Sequence, residues 1–263
     1  MIFNDFPKVS YKLSNGFEYR ISDITRYSNI DYSKLDNFSY YRFYDIVDGE
    51  RPDVVSTKLY RVPNYFWTFF LINDHLKNGY GSWPMSYQEL ETHINNEYEG
   101  ISIQTSESFL EYGFVKIGQT FTIESDNEAT AKVYAINQDL NQIILKNVTK
   151  NSKWLLSENL SLVPINYDTS TPRLSIQKAV PYRYGLSHYE DQNGIRIPIT
   201  YGVNYNFSGD TNGTIYQTNQ RLFEVNFDEV EKRINTERSK IRVIRQEDIF
   251  DFSEQFRDTI NAS

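Results

Sequence analysis

Three histidines, a surplus of carboxylates and no cysteine bound the chemistry open to this 263-residue chain. His75, His93 and His188 stand singly. A zinc site of the H-E-x-x-H kind needs two imidazoles one helical turn apart on one face, and that spacing is missing. The absence of cysteine excludes disulfides, thiolate metal sites and cysteine nucleophiles. No G-x-S-x-G elbow, G-x-x-x-x-G-K-[ST] phosphate loop or G-x-G-x-x-G turn occurs. Gly79-Tyr80-Gly81 is half of such a loop without its third glycine. The densest cluster is His188-Tyr189-Glu190-Asp191. An imidazole beside carboxylates could hold a metal, and two carboxylates about 5–10 Å apart could hydrolyse a glycoside. Neighbours on a strand point to opposite faces, however, which favours a solvated or interface-forming turn over an acid/base pair. Asp45, Asp48 and Glu50 flank a turn and read as solvated, with Asp48-Gly49 supplying the turn geometry.

These residues must be carried on elements that the local patterns outline. Val9, Tyr11, Leu13 and then Phe17, Tyr19, Ile21 alternate around Asn15-Gly16, a hairpin signal. We assign 1–40 to this N-terminal arm, which must dock on the next domain or on a partner because a lone hairpin is marginal. A second segment, 41–100, begins with a strand over Tyr41–Ile46 and a turn ending at Pro52, which suits the first helical position. Val55, Leu59 and Tyr60 then share a helix face. A second helix follows with Trp67, Phe70 and Leu71 as its expected buried stripe, ended by Asn73-Asp74; it is apolar nearly all round, so it is either buried or partly covered by a partner. Trp83-Pro84-Met85 is extended, and Ser86 with Glu89 forms a capping box for a third helix.

From Phe109 to Val163 the period changes to two. Phe114, Val115, Ile117, Phe121, Ile123, Ala131, Val133 and Ile143–Leu145, with turns at Asp126-Asn127 and Asp139–Asn141, predict four or five short strands in a small antiparallel barrel or sheet. This gives a β-rich insertion over 101–165. The last segment, 166–263, starts loop-like and rich in Tyr, Gly, Asn and Pro, with an edge strand at Ile195–Ile199 because of Pro198. It ends regularly. Asn226 and Glu229 propose a capped helix with Phe227, Val230 and Ile234 on one face; Ile241, Val243 and Ile244 a strand; and Ile249, Phe252, Phe256 and Ile260 a closing helix. The fold class is α+β.

Composition narrows the functional classes. The net charge of −8 disfavours a nucleic-acid partner, which needs a basic footprint. The 21 tyrosines and 17 phenylalanines suit either strand filling or surfaces that are wet before assembly and buried after it. The N-terminus lacks the basic and apolar regions of a signal peptide, and the longest greasy run, Tyr65–Ile72, falls far below the ~20 residues of a membrane span, so a soluble protein is expected.

A family resemblance rests on two distant blocks. Tyr44-Asp45, Arg51-Pro52, Leu59-Tyr60, Pro63, Trp67, Asn73-Asp74 and Trp83-Pro84 resemble a LysM-type strand–helix–helix–strand module, and more narrowly the LysM-containing baseplate wedge subunit of T-even-type contractile-tailed bacteriophages. Phe3-x-x-Phe6-Pro7, Ile241–Arg245 and the helix of Ile249, Phe252 and Phe256 are similar to the same family, as is His188–Asp191. The β-rich middle departs from it and reads as an insertion on the outer or inter-wedge surface.

The resemblance implies a non-enzymatic virion protein of the tail baseplate, assembled in the host cytoplasm, with no cofactor, no metal, no nucleic acid and no membrane. Its partners would be other wedge subunits, including the sheath-initiating wedge protein and the large wedge scaffold proteins. Arg51, Trp67, Asn73, Asp74, Trp83, Phe252 and Phe256 are the interface candidates, as fold-keeping and contact residues. Two alternatives stay open: a LysM-type glycan-binding module, with its groove between Asp48–Pro52 and Asn73–Trp83, and a cell-wall hydrolase using Glu190.

Overall fold

The computed structural model describes residues 7–23, 40–105, 115–155, 161–165, 167, 170, 173–198 and 222–262. Phe3, Phe6, Phe109, Phe114 and Ile199 lie outside them. In chain order the strands are β1 (Lys8–Lys12), β2 (Glu18–Ser22), β3 (Tyr41–Asp45), β4 (Ile101–Thr105), β5 (Thr120–Ile123), β6 (Asp126–Asn137), β7 (Gln142–Lys146), β8 (Ser161–Pro164), β9 (Leu174–Pro181), β10 (Leu186–Glu190), β11 (Arg196–Ile197), β12 (Phe223–Asn226) and β13 (Lys240–Ile244). The helices are α1 (Pro52–Tyr60), α2 (Trp67–Ile72), α3 (Tyr87–Glu97), α4 (Asn151–Leu155), α5 (Phe227–Ser239) and α6 (Ile249–Ala262). The protein is α+β, and it divides into two compact units, 1–88 with 234–263, and 89–233.

In the first unit, β1 and β2 form the expected antiparallel hairpin. Gly16 takes φ +85° at its turn, a conformation that costs glycine little, and Asn15 accepts the Phe17 N–H at 3.1 Å. β3 pairs antiparallel with β13 from the other end of the chain, from Tyr41↔Ile244 to Asp45↔Lys240. The strand expected after the two helices within 41–100 is therefore absent as a partner of β3. Trp83 follows a 3-10 turn (Gly79–Ser82), and the next strand, β4, belongs to the other unit.

Helix α1 starts at Pro52 as expected and buries Val55, Leu59 and Tyr60; Arg61, with φ +67°, ends it. Helix α2 turns a different face inward from the one predicted. Thr68, Phe69 and Ile72 are buried, whereas Trp67, Phe70 and Leu71 are half-buried. With five of its six residues apolar and spread over every side, periodicity could not choose the face. The tie from Asn73 to β13 and the packing of Phe69 between Tyr60 and Trp83 choose it. α6 buries Ile249, Phe252 and Ile260 as expected.

The second unit is built on a closed antiparallel barrel in the order β4-β7-β6-β5-β8-β9. It has six strands and extends to Pro181, beyond the insertion boundary drawn at 165. Its last strand was hidden in a segment that reads as loop. The first turn falls at Glu124-Ser125 rather than Asp126-Asn127. Ile101, Ile103, Phe121, Ile123, Val133, Ile143, Leu145, Leu162, Leu174 and Ile176 fill the interior, with small Ala129 and Ala131 between them and Trp154 from α4 fully buried. Bulges at Thr122/Ile123, Val133/Ala135 and Gln104/Thr105 sharpen the bending that closure requires. A three-stranded sheet, β11-β10-β12, lies outside the barrel, with β11 at its edge as Pro198 implied. α5 is capped as predicted, Asn226 Oδ1 accepting the Glu229 N–H at 2.8 Å.

Candidate assembly surface and charged clusters

The seven interface candidates fall in the first unit and separate into three kinds. Asn73, Trp83 and Phe252 are buried at 2%, 8% and 6% exposure and hold the fold. Asn73 Nδ2 donates to the carbonyls of Phe69 (2.8 Å) and Arg242 (2.9 Å), and its Oδ1 accepts the Arg242 N–H at 2.8 Å. Trp83 Nε1 donates to the Glu50 carbonyl at 2.7 Å, and its ring meets Phe69 and Phe70 at 6.1 and 5.6 Å. Arg51 and Asp74 are exposed and make local ion pairs, Arg51 with Asp53 at 3.2 Å and Asp74 with Lys77 at 2.7 Å. The Lys77 ammonium holds the Asp74 carboxyl below the usual carboxylate range. Such exposed pairs contribute little to stability.

Trp67 and Phe256 are the third kind. Trp67 stacks on Phe252 at 6.2 Å and tilts against Phe256 at 4.8 Å, joining α2 to α6, yet both residues remain only partly buried. A second aromatic group, missed by the sequence reading, sits beyond α2: Tyr80, 64% exposed, lies 6.0 Å from Phe66 and 5.3 Å from Phe70. Its signal was the all-round apolarity of α2, which left a surplus face to be shared with the surface.

Glu50 is not solvated, as the turn reading had it. Its carboxylate accepts the Tyr44 hydroxyl at 2.8 Å, the Val47 N–H at 3.0 Å and the Lys58 ammonium. Desolvation pushes its pKa up, but the bonds from Lys58, Val47 and Tyr44 outweigh this and hold it low. Burial and the adjacent Glu50 raise the Tyr44 phenol to about 12. Asp48 is also engaged, accepting the Tyr87 N–H at 2.7 Å.

In the second unit, Glu190 and Asp191 have separate partners. Glu190 accepts two bonds from Arg233 Nη1, at 2.7 and 2.6 Å, and lies 3.0 Å from His188 Nε2. The Arg233 guanidinium, against some desolvation and with help from His188, keeps this carboxyl below its ordinary range. An acid catalyst needs the opposite shift. Asp191 Oδ1 accepts the N–H groups of Asn193 (2.8 Å) and Ile195 (2.9 Å) and closes the turn from β10 to β11. His93 approaches Glu231 at 3.8 Å, and His75 is exposed. Among the described residues no group of three or more His, Cys, Asp or Glu is arranged to hold a metal ion. Among the same residues no helix is long and apolar enough to cross a membrane.

Arg183 is a junction that the sequence did not mark. It donates to Asp228 (Nε, 3.0 Å), Asn95 (2.8 Å) and Glu91 (3.0 Å), linking the turn after β9 to α3 and α5. Its partners are 45 to 92 positions away, so no local motif could reveal it.

No protein-family model matches the chain, and no curated protein matches it either.

Proposed function

We propose that the chain is a structural subunit of a contractile-tail baseplate wedge, joining neighbouring wedge proteins during tail assembly. The observation that carries this reading is the convergence of its two family-like blocks. Residues 41–85 and 241–256 fold into one unit, through the β3–β13 ladder, the Asn73–Arg242 bonds and the Trp67–Phe252–Phe256 packing. On this reading the two blocks form one body whose second strand, β13, is delivered after the barrel-bearing insertion. Partly buried aromatic rings at Trp67 and Phe256 are the residue type enriched where protein interfaces form. The reading implies the sheath-initiating wedge protein and the large wedge scaffold proteins as partners, and a place in the virion tail.

Co-expression with the products of neighbouring tail genes, followed by native mass spectrometry, tests it. The expected result is a multi-protein complex of fixed stoichiometry. Free monomer in every combination would overturn the reading.

The exposed ring of Tyr80, beside Phe66 and Phe70, favours glycan binding as a second reading, since an exposed aromatic ring can stack on a sugar face. Calorimetry with chitin and peptidoglycan oligomers decides it, and absence of heat removes it.

A further inference from the structure

Three Asn-Gly pairs stand among the described residues: Asn15-Gly16, Asn78-Gly79 and Asn193-Gly194. In such a pair the glycine backbone nitrogen can attack the side-chain carbonyl of the asparagine before it, because no Cβ on the glycine shields the nitrogen. The nitrogen must first give up its proton. A hydrogen bond from that N–H opposes the reaction, since the bond is lost with the proton. The attack also needs an asparagine side chain free to swing onto the main chain.

Two of the pairs are clasped. At the hairpin turn the Gly16 N–H donates to the Leu13 carbonyl at 2.9 Å, and Asn15 Oδ1 accepts the Phe17 N–H at 3.1 Å. At the turn from β10 to β11 the Gly194 N–H donates to the Asp191 carbonyl at 3.0 Å. There the Asn193 side-chain amide lies 3.4 Å from Asp191 Oδ2, and that carboxylate disfavours an anionic nitrogen beside it.

Asn78-Gly79 has neither restraint. It joins two short 3-10 turns, Asp74–Leu76 and Gly79–Ser82, and Asn78 is exposed. Among the described residues neither the Asn78 side chain nor the Gly79 N–H has a hydrogen-bond partner. Nothing comes within 4 Å of where a Cβ on Gly79 would stand, so only its chain neighbours approach this glycine. Asn78 has ψ 12°, and ring closure has to rotate it. No hydrogen bond from either reacting group resists that rotation.

We propose that Asn78 is a site of spontaneous covalent modification: deamidation through a cyclic imide, with water as the co-reactant. The deprotonated Gly79 nitrogen forms a bond to Asn78 Cγ. The Cγ–Nδ2 bond breaks, and the departing ammonia takes up a proton in place of the one that Gly79 lost. Water then opens the five-membered ring. Opening at Cγ gives aspartate. Opening at the Asn78 backbone carbonyl gives isoaspartate, whose main chain runs through the former side chain and is one methylene longer. An amide and water become a carboxylate and ammonium, with nothing oxidised or reduced. Either product places a negative charge two positions before Tyr80, and isoaspartate also lengthens the entry to the turn that carries Tyr80 and leads into Trp83. The inference is independent of both functional readings.

Incubation of the full folded chain in mildly alkaline buffer, followed by peptide mapping by mass spectrometry, tests it beside a parallel sample unfolded in guanidinium chloride. In the folded chain Asn78 should convert at least about fivefold faster than Asn15 and Asn193, the factor that one lost hydrogen bond supplies. In the unfolded chain the three rates should converge. Equal or faster conversion at Asn15 or Asn193 in the folded chain overturns the inference. A rate order that persists unchanged in guanidinium chloride overturns it too, because flanking sequence rather than the fold would then set it.

Discussion

Asn73 binds Arg242 as a neighbouring strand would: its side-chain amide accepts the Arg242 N–H at 2.8 Å and donates to the Arg242 carbonyl at 2.9 Å. The two residues are 169 positions apart. One asparagine thereby extends the β3–β13 sheet by a side chain and fixes the end of α2 against it. Its third bond, to the Phe69 carbonyl, sets the face that α2 turns inward.

Asn73→Ala leaves up to three buried backbone groups unpaired, so it should lower unfolding free energy by about 2–4 kcal/mol. Asn73→Asp keeps the shape but can no longer donate to two carbonyls, and should be at least as harmful. Urea unfolding with an unchanged m-value would attribute the loss to the folded state.

Gly100 precedes β4 with φ +121°, and a methyl group there would collide with the Leu145 carbonyl oxygen on β7. Gly100→Ala should therefore cost at least about 2 kcal/mol, from strain and displacement of the β4–β7 ladder. Gly16→Ala, where nothing lies within 4 Å, should cost only the positive-φ penalty of about 1 kcal/mol, confined to the hairpin. Hydrogen exchange separates the two, with β4 and β7 amides losing protection in the first variant alone.

Glu190 should make stability fall in acid. Its folded carboxyl titrates below the ordinary range because of Arg233 and, to a smaller extent, His188. A depressed folded pKa stabilises fully above the unfolded value and is lost as pH falls through the folded one. Glu190→Gln should destabilise by about 1–3 kcal/mol at neutral pH, and the difference from wild type should shrink toward zero below the carboxylate range. Thermal unfolding across that range measures it; a constant gap would show that the ion pair does not cause the effect.

The interface candidates should split by kind. Arg51→Ala and Asp74→Ala should change stability by less than about 0.5 kcal/mol, as exposed pairs do. Trp67→Ala and Phe256→Ala should cost about 1–2 kcal/mol, since each ring is only half-buried. If the wedge reading holds, the aromatic variants should also lose incorporation into the co-expressed complex at temperatures where they remain folded. Native mass spectrometry beside circular dichroism reads both quantities.

Short-range physics made part of this protein legible in its sequence. The Asn15-Gly16 turn, the Pro52 start and Val55/Leu59/Tyr60 face of α1, the Asn226 cap of α5, the apolar spacing of α6 and the period-two barrel strands each depend on residues a few positions apart. Glu190, expected in a solvated or interface-forming turn, ends β10 instead and is buried against Arg233, which no local pattern marked. Tertiary structure decided whatever depends on distant chain. It chose the inward face of α2, because a helix apolar all round has no preferred side until Asn73 and Trp83 are placed. It gave β3 a partner nearly two hundred residues away, recruited β9 to close the barrel, and buried the Glu50 carboxylate by bringing Tyr44 and Lys58 to it. Among the described residues it left the apolar rows of the β1–β2 hairpin exposed, although alternation had marked them for burial.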